Sequence, residues 1–114
     1  MHAPTTWIKQ ANMFYSCFIQ PDVLSQVMEL LPDHEASQGF TTICSILDFA
    51  VLNTLADSLD PASLLDVLKL ASTRYNDESL LDQIGVFSPS LLTKIQQTVE
   101  RRLLAVHSAL KAQL

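Results

Sequence analysis

Apolar positions recur at helical steps along most of this chain, and the interruptions fall where prolines, acids and small polar residues can start or stop a helix. Thr5 and Thr6, either able to cap, precede a segment from Trp7 to Ile19 in which Trp7, Ile8, Ala11, Phe14, Tyr15, Phe18 and Ile19 keep helical spacing. This spacing predicts a first helix with an aromatic stripe against the core. Pro21 suits the first turn of a second, short helix carrying Val23, Leu24, Val27, Met28, Leu30 and Leu31 and ending at Pro32. The stretch from Pro32 to Gly39, with Asp33, His34, Glu35 and Ser37, has little apolar content and predicts one substantial loop, the most mobile element of the chain.

From Phe40 to Leu59 the pattern changes, because apolar side chains fall on nearly every side. This predicts a central helix enclosed by the others. Its length of roughly twenty residues also matches a bilayer. Asp48, Asn53 and Asp57 interrupt it, however, and each acid would cost about 2.5–3.5 kcal/mol at a membrane centre. The expectation is therefore a buried core helix and no membrane span, with these polar residues sharing one narrow side that meets solvent or a polar partner.

Asp60 and Pro61 open a fourth helix with Leu64, Leu65, Val67, Leu68, Leu70 and Ala71, predicted to end between Thr73 and Asn76. Asp77 can cap a short fifth helix holding Leu80, Leu81 and Ile84, with Gly85 placed as a left-handed terminus and Val86 and Phe87 folding back on the last turn. Ser88 and Pro89 begin the clearest helix, in which Leu92, Ile95, Val99, Leu103, Val106 and Leu110 form one stripe. Similar phrases beginning at Pro21, Pro61 and Pro89 lack the fixed period of a solenoid and reflect how each helix buries its first turn.

Composition narrows the class. Two glycines and five prolines in 114 residues disfavour hairpin-rich β architecture, so the fold expected is all-α, a compact bundle of five or six helices around the segment 40–59, in a single domain over 1–114. Apolar residues make up 48% and charged residues 17%, with mean hydropathy +0.22. Such a balance exceeds what a small core can hide and points to an oligomer interface, a partner groove or an apolar ligand. The opening residues lack the basic start, apolar run and cleavage site of a secretory signal, which predicts a cytoplasmic setting.

The net charge of −5 is unevenly spread. Between Lys9 and Lys69 there is no lysine or arginine, while Asp22, Glu29, Asp33, Glu35, Asp48, Asp57 and Asp60 fall there; from Val86 onward Lys94, Arg101, Arg102 and Lys111 oppose Glu100 alone. An acidic half suits a basic protein partner, and complementary halves suit a homo-oligomer. Nucleic acid is not expected as a partner, since clustered phosphate-neutralising cations are missing.

Chemistry is sparse. Gly39 and Gly85 are too far apart for a phosphate-binding loop, and His2, His34, His107, Cys17 and Cys44 lack metal-ligand spacing. Cys17 and Cys44 sit between apolar neighbours on expected helices, the setting of an inert buried thiol. Asp33, His34 and Glu35 read as a solvated turn rather than an acid–base site, and Glu100 with His107 as a solvated helix face. No enzyme, metal or cofactor is expected. The function expected is a non-catalytic interaction module, of the adaptor, regulatory or immunity type, presenting an acidic surface at Asp22, Glu29, Asp33 and Glu35. Apolar interface candidates are Trp7, Phe14, Phe18, Leu103, Val106 and Leu110. The alternative is a carrier or sensor enclosing an apolar small molecule near the central helix, with Asp48, Asn53 or Asp57 orienting its polar head.

Overall fold

The computed structural model describes residues 13–74 and 79–113. Among these the protein is all-α, with five α-helices and no strand: α1 (Pro21–Glu29), α2 (Ala36–Ser58), α3 (Pro61–Arg74), α4 (Ser79–Phe87) and α5 (Pro89–Ala112). One-turn 3-10 helices at Ser16–Phe18 and Asp33–Glu35 precede α1 and α2.

Proline sets three of the helix starts. Gln20 is extended (φ −78°, ψ 117°) and Ser88 likewise (φ −159°, ψ 106°), because the ring of the following proline disfavours helical geometry in the residue before it. Pro21 and Pro89 then occupy first-turn positions, where the missing N–H has no helical partner to lose. Before Pro61, Leu59 is extended (φ −112°, ψ 146°) and Asp60 accepts a hydrogen bond at Oδ2 from the Ser63 backbone N–H at 3.3 Å. The hydrogen bonds from the Ser63 hydroxyl and then its backbone N–H hold the Asp60 carboxyl below the usual range.

The buried side chains form one connected cluster. From α2 it takes Phe40, Ile43, Leu47, Val51 and Leu55, and from α5 Leu91, Ile95, Val99 and Leu103 at steps of four. These two helices make the most extensive contact of the fold. They run antiparallel: Thr54 meets Thr98, while Ile43 shares a groove with Val106 and Leu110. Leu24, Val27 and Met28 of α1, Val67 of α3 and Leu80, Leu81 and Ile84 of α4 close the rest. Burying each such side chain stabilises the fold by about 1.5–3 kcal/mol before entropy is counted.

Several sequence expectations need correcting. The first helix does not reach Ile19: residues 13–19 form a turn and a 3-10 helix, and the portion from Trp7 to Asn12 lies outside the described residues. Here Phe14 and Tyr15 are buried edge to face, with centroids 5.1 Å apart, and the Tyr15 hydroxyl donates to Asp48 Oδ1 across the fold. The loop expected from Pro32 to Gly39 is shorter, since Asp33–Glu35 is one 3-10 turn and α2 already begins at Ala36. Gly39 lies within α2, where a Cβ would collide with Leu31 Cδ1, so its lack of a side chain lets the end of the α1 connection approach. Gly85 is helical, with no positive φ, and α4 continues through Phe87 because the Ser88–Pro89 junction stops it. Val86 is 85% exposed and does not fold back.

Two stability outcomes follow. Gly85→Ala is expected to raise stability by about 0.5–1 kcal/mol in urea unfolding, since the helix gains propensity and Leu92 Cδ1, 3.1 Å from the added Cβ, has only to yield slightly; a loss would mean instead that Leu92 cannot yield. Tyr15→Phe is expected to cost about 1–3 kcal/mol in the same measurement, because it removes a donor from the half-buried Asp48 carboxylate.

Candidate functional site

The central helix is not enclosed on all sides. Ile46, Phe49 and Leu52 on α2 are 37%, 67% and 44% exposed, and Asn53, Ala56 and Asp57 share the same outer side. Large apolar side chains at this exposure are left by a core already filled from the other side of α2 by Ile43, Leu47, Ala50 and Val51. With its leading 3-10 turn, the segment Asp33–Ser58 is long and apolar enough to cross a membrane by length and composition, with 28% of its most apolar window buried in the bundle.

Two different surfaces flank this outer side where α2 meets α5. At the N-terminal end of α2 lies an open groove of about 470 Å³, floored by Leu31, Ile43, Ile46, Val106 and Leu110 and rimmed by Glu35, Gln38, Thr42 and Gln113. The Thr42 hydroxyl is not offered to the groove as a donor, because it is given to the Gln38 carbonyl at 3.0 Å. At the other end lie adjoining polar hollows of about 270 and 190 Å³, lined by Asn53, Thr54, Asp57, Lys94, Thr98, Arg101 and Arg102. Thr54 donates to the Ala50 carbonyl at 3.0 Å, so the 3.0 Å contact between the Thr54 and Thr98 hydroxyls has Thr98 as donor. Asp57 makes no ion pair within 4.0 Å with Lys94, Arg101 or Arg102; the ion pair found among the described residues is His34 to Glu35, at 3.8 Å on the surface.

The residues picked out from the sequence are dispersed over this architecture. Asp22, Glu29, Asp33 and Glu35 are all exposed, on α1 and the turn before α2, in a stretch of the sequence without lysine or arginine. Of the apolar interface candidates, Trp7 lies outside the described residues, Phe14 and Leu103 are buried in the protein's own core, Phe18 packs half-buried against it, and Val106 and Leu110 border the groove. Asp48, Asn53 and Asp57 do not share a side: Asn53 and Asp57 face solvent, whereas Asp48 turns inward to the Tyr15 hydroxyl. The five-residue step from Asp48 to Asn53 rotates them about 140° apart, which accounts for the separation. Phe49 and Ile46 were missed, although Thr42, Ser45, Asn53 and Asp57 bracket Phe49 on the helix and mark its side as the outer one.

No group of three or more histidine, cysteine or acidic side chains comes together among the described residues in a way that would hold a metal ion. Cys17, expected to be buried, is exposed, because the 3-10 turn at Ser16–Phe18 replaces the helix that would have hidden it. Cys44 is half-buried, and burial, followed by the nearby Asp48 charge, pushes its thiol up from the ordinary value. Glu100 accepts a 3.3 Å hydrogen bond from Gln96 and is half-buried, as is His107. Comparison with protein-family models, curated proteins and solved structures yields no significant match.

The two thiols should separate in alkylation. Thiolate is the reactive form, so a raised pKa leaves Cys44 protonated through neutral pH and reactive only as the pH climbs above the ordinary thiol range. Peptide mass mapping after brief iodoacetamide treatment at neutral pH is expected to find label at Cys17 well ahead of Cys44; equal labelling would contradict the burial of Cys44.

Proposed function

We propose that this protein is a non-catalytic interaction module, acting as an adaptor or regulatory subunit and self-associating. The observation that carries this reading is the uncovered apolar side of α2 at Ile46, Phe49 and Leu52, on the helix that also supplies much of the core. Exposed apolar surface on a hub helix is stabilising only when something covers it, and the rigid packing beneath makes it a preformed docking surface. The acidic residues Asp22, Glu29, Asp33 and Glu35 supply a second element, a field that steers a basic protein toward the same molecule. A water-soluble, cytoplasmic setting belongs to this reading: Asp48, Asn53 and Asp57 burden α2 as a span, and its inner side is matched to the core of the bundle.

A second reading, a carrier of an apolar small molecule, is favoured by the groove between α2 and α5, whose volume of about 470 Å³ falls in the range of ligand pockets. Its polar contacts would be Glu35, Gln38 and Gln113, with Asp48, Asn53 and Asp57 elsewhere.

Native mass spectrometry of the full chain separates the two, with an apo oligomer expected for the module and a monomer retaining extra mass for the carrier. Joint reversal of Asp22, Glu29, Asp33 and Glu35 to lysine is expected to slow association with a lysine-rich peptide at low salt and to flatten its salt dependence, with the helical circular dichroism unchanged. Unaltered kinetics would remove the acidic surface from the proposal.

A further inference from the structure

We propose that the groove between the N-terminal part of α2 and the C-terminal part of α5 is the docking site for a basic amphipathic helix of a partner protein, whose apolar side chains enter the groove while its cations meet Glu35, Asp33 and Glu29. This rests on the interaction module proposed above and adds the face it uses and the structure and charge of the partner segment.

The shape of the groove selects a helix. Its floor is Leu31, Ile43, Ile46, Val106 and Leu110, and its outer side is open to solvent. A small molecule laid there would stay wet on one side, whereas small-molecule pockets enclose most of the ligand surface. A helix brings its own polar outer face and needs cover only along its apolar stripe. Length agrees with this. The lining runs from Gln38 to Ile46 on α2 and from Val106 to Gln113 on α5, about 12 and 10.5 Å at 1.5 Å per residue. Apolar residues at i, i+4 and i+7 of a partner helix span about 10.5 Å, so three such anchors fill the groove from end to end.

Charge selects a basic partner. Among the described residues, Glu35 is the one charged side chain that lines the groove. Glu29 and Asp33 each stand two residues from Leu31 on the floor, which keeps their Cα atoms within about 7.6 Å of its own. All three acids are exposed, and α1, the turn before α2 and α2 itself contain no lysine or arginine to offset them; His34 lies 3.8 Å from Glu35. On α5 the nearby cation, Lys111, is outside the lining, because one helical step turns it about 100° from Leu110. At 0.01 M salt the screening length is about 30 Å, so the three carboxylates act on an approaching helix together; at 0.15 M it falls to about 8 Å and close contacts dominate.

Fluorescence anisotropy of the full chain with three labelled synthetic peptides tests this, each an alanine-based helix of about 18 residues, long enough to be helical in water. The first carries leucine at i, i+4 and i+7 with lysines beside them, the second has glutamates in place of the lysines, and the third has alanines in place of the leucines. The lysine–leucine peptide is expected to bind saturably, at least about tenfold more tightly at low salt than either of the others, with the margin over the glutamate peptide shrinking as salt rises. T42R, which places a long cation on the exposed rim of the groove, should weaken it about tenfold or more, and E35K about fivefold, with circular dichroism unchanged. F49A, outside the groove, should change it by less than about twofold. Equal binding of the glutamate peptide, indifference to T42R and E35K, or no saturable binding overturns the inference. Loss of binding in F49A with T42R unaffected also overturns it, by moving the helix to the outer side of α2, and leaves the module reading standing; that reading fails separately if native mass spectra show the full chain as a monomer retaining a small molecule.

Discussion

The antiparallel packing of α2 against α5 is the constraint on which the other features depend. Leu91, Ile95, Val99 and Leu103 present one unbroken stripe from α5, and α2 answers with Ile43, Leu47, Ala50 and Val51. Each helix can satisfy only one side in this way, and the short α1, α3 and α4 do not extend round the far side of α2. A helix apolar on nearly all sides, placed beside a helix with a single stripe, leaves apolar surface outside. The exposed Phe49 follows from that mismatch.

The same pairing creates the two chemically different ends of the seam. Where Ile43 and Ile46 meet Val106 and Leu110, branched side chains leave an apolar groove; where Thr54 meets Thr98, small hydroxyls seal the floor and long charged side chains rise on both sides. Thr54 is suited to this place because its hydroxyl already serves the Ala50 carbonyl and so can accept from Thr98 without leaving a polar atom orphaned. The charges above it stay apart through register rather than through distance in sequence, since an antiparallel pair carries Asp57 and Arg101 away from each other.

How much of this was legible in the sequence varies with the kind of signal. Helix starts at Pro21, Pro61 and Pro89 were read directly, because proline restricts its own φ and the conformation of its predecessor whatever the surroundings. The α5 stripe was equally plain. Signals that depend on tertiary context misled: Gly85 resembled a left-handed terminus but stays helical since Ser88–Pro89 ends α4, and Ser37 with Gly39 resembled a loop although α2 absorbs both. The helix expected to run to Ile19 failed for a similar reason, as Tyr15 is held by Asp48, remote in sequence, and Gln20 is turned extended by Pro21.

The candidate site was less legible than the fold, and α2 shows why. When nearly every position is apolar, periodicity cannot tell which side faces inward, so the weak polar residues must decide, and their angular positions have to be computed rather than judged by spacing. Thr42, Ser45, Asn53 and Asp57 fall within an arc of about 120° centred near Phe49, whereas Asp48 lies outside that arc and points to the core edge. Grouping Asp48 with Asn53 and Asp57 therefore concealed both the anchor of Tyr15 and the exposed ridge. The polar seam at Thr54 and Thr98 was hidden for a different reason: it depends on which residue of α5 lies opposite which residue of α2. That register is a property of two distant segments packed together through one shared core and of neither alone.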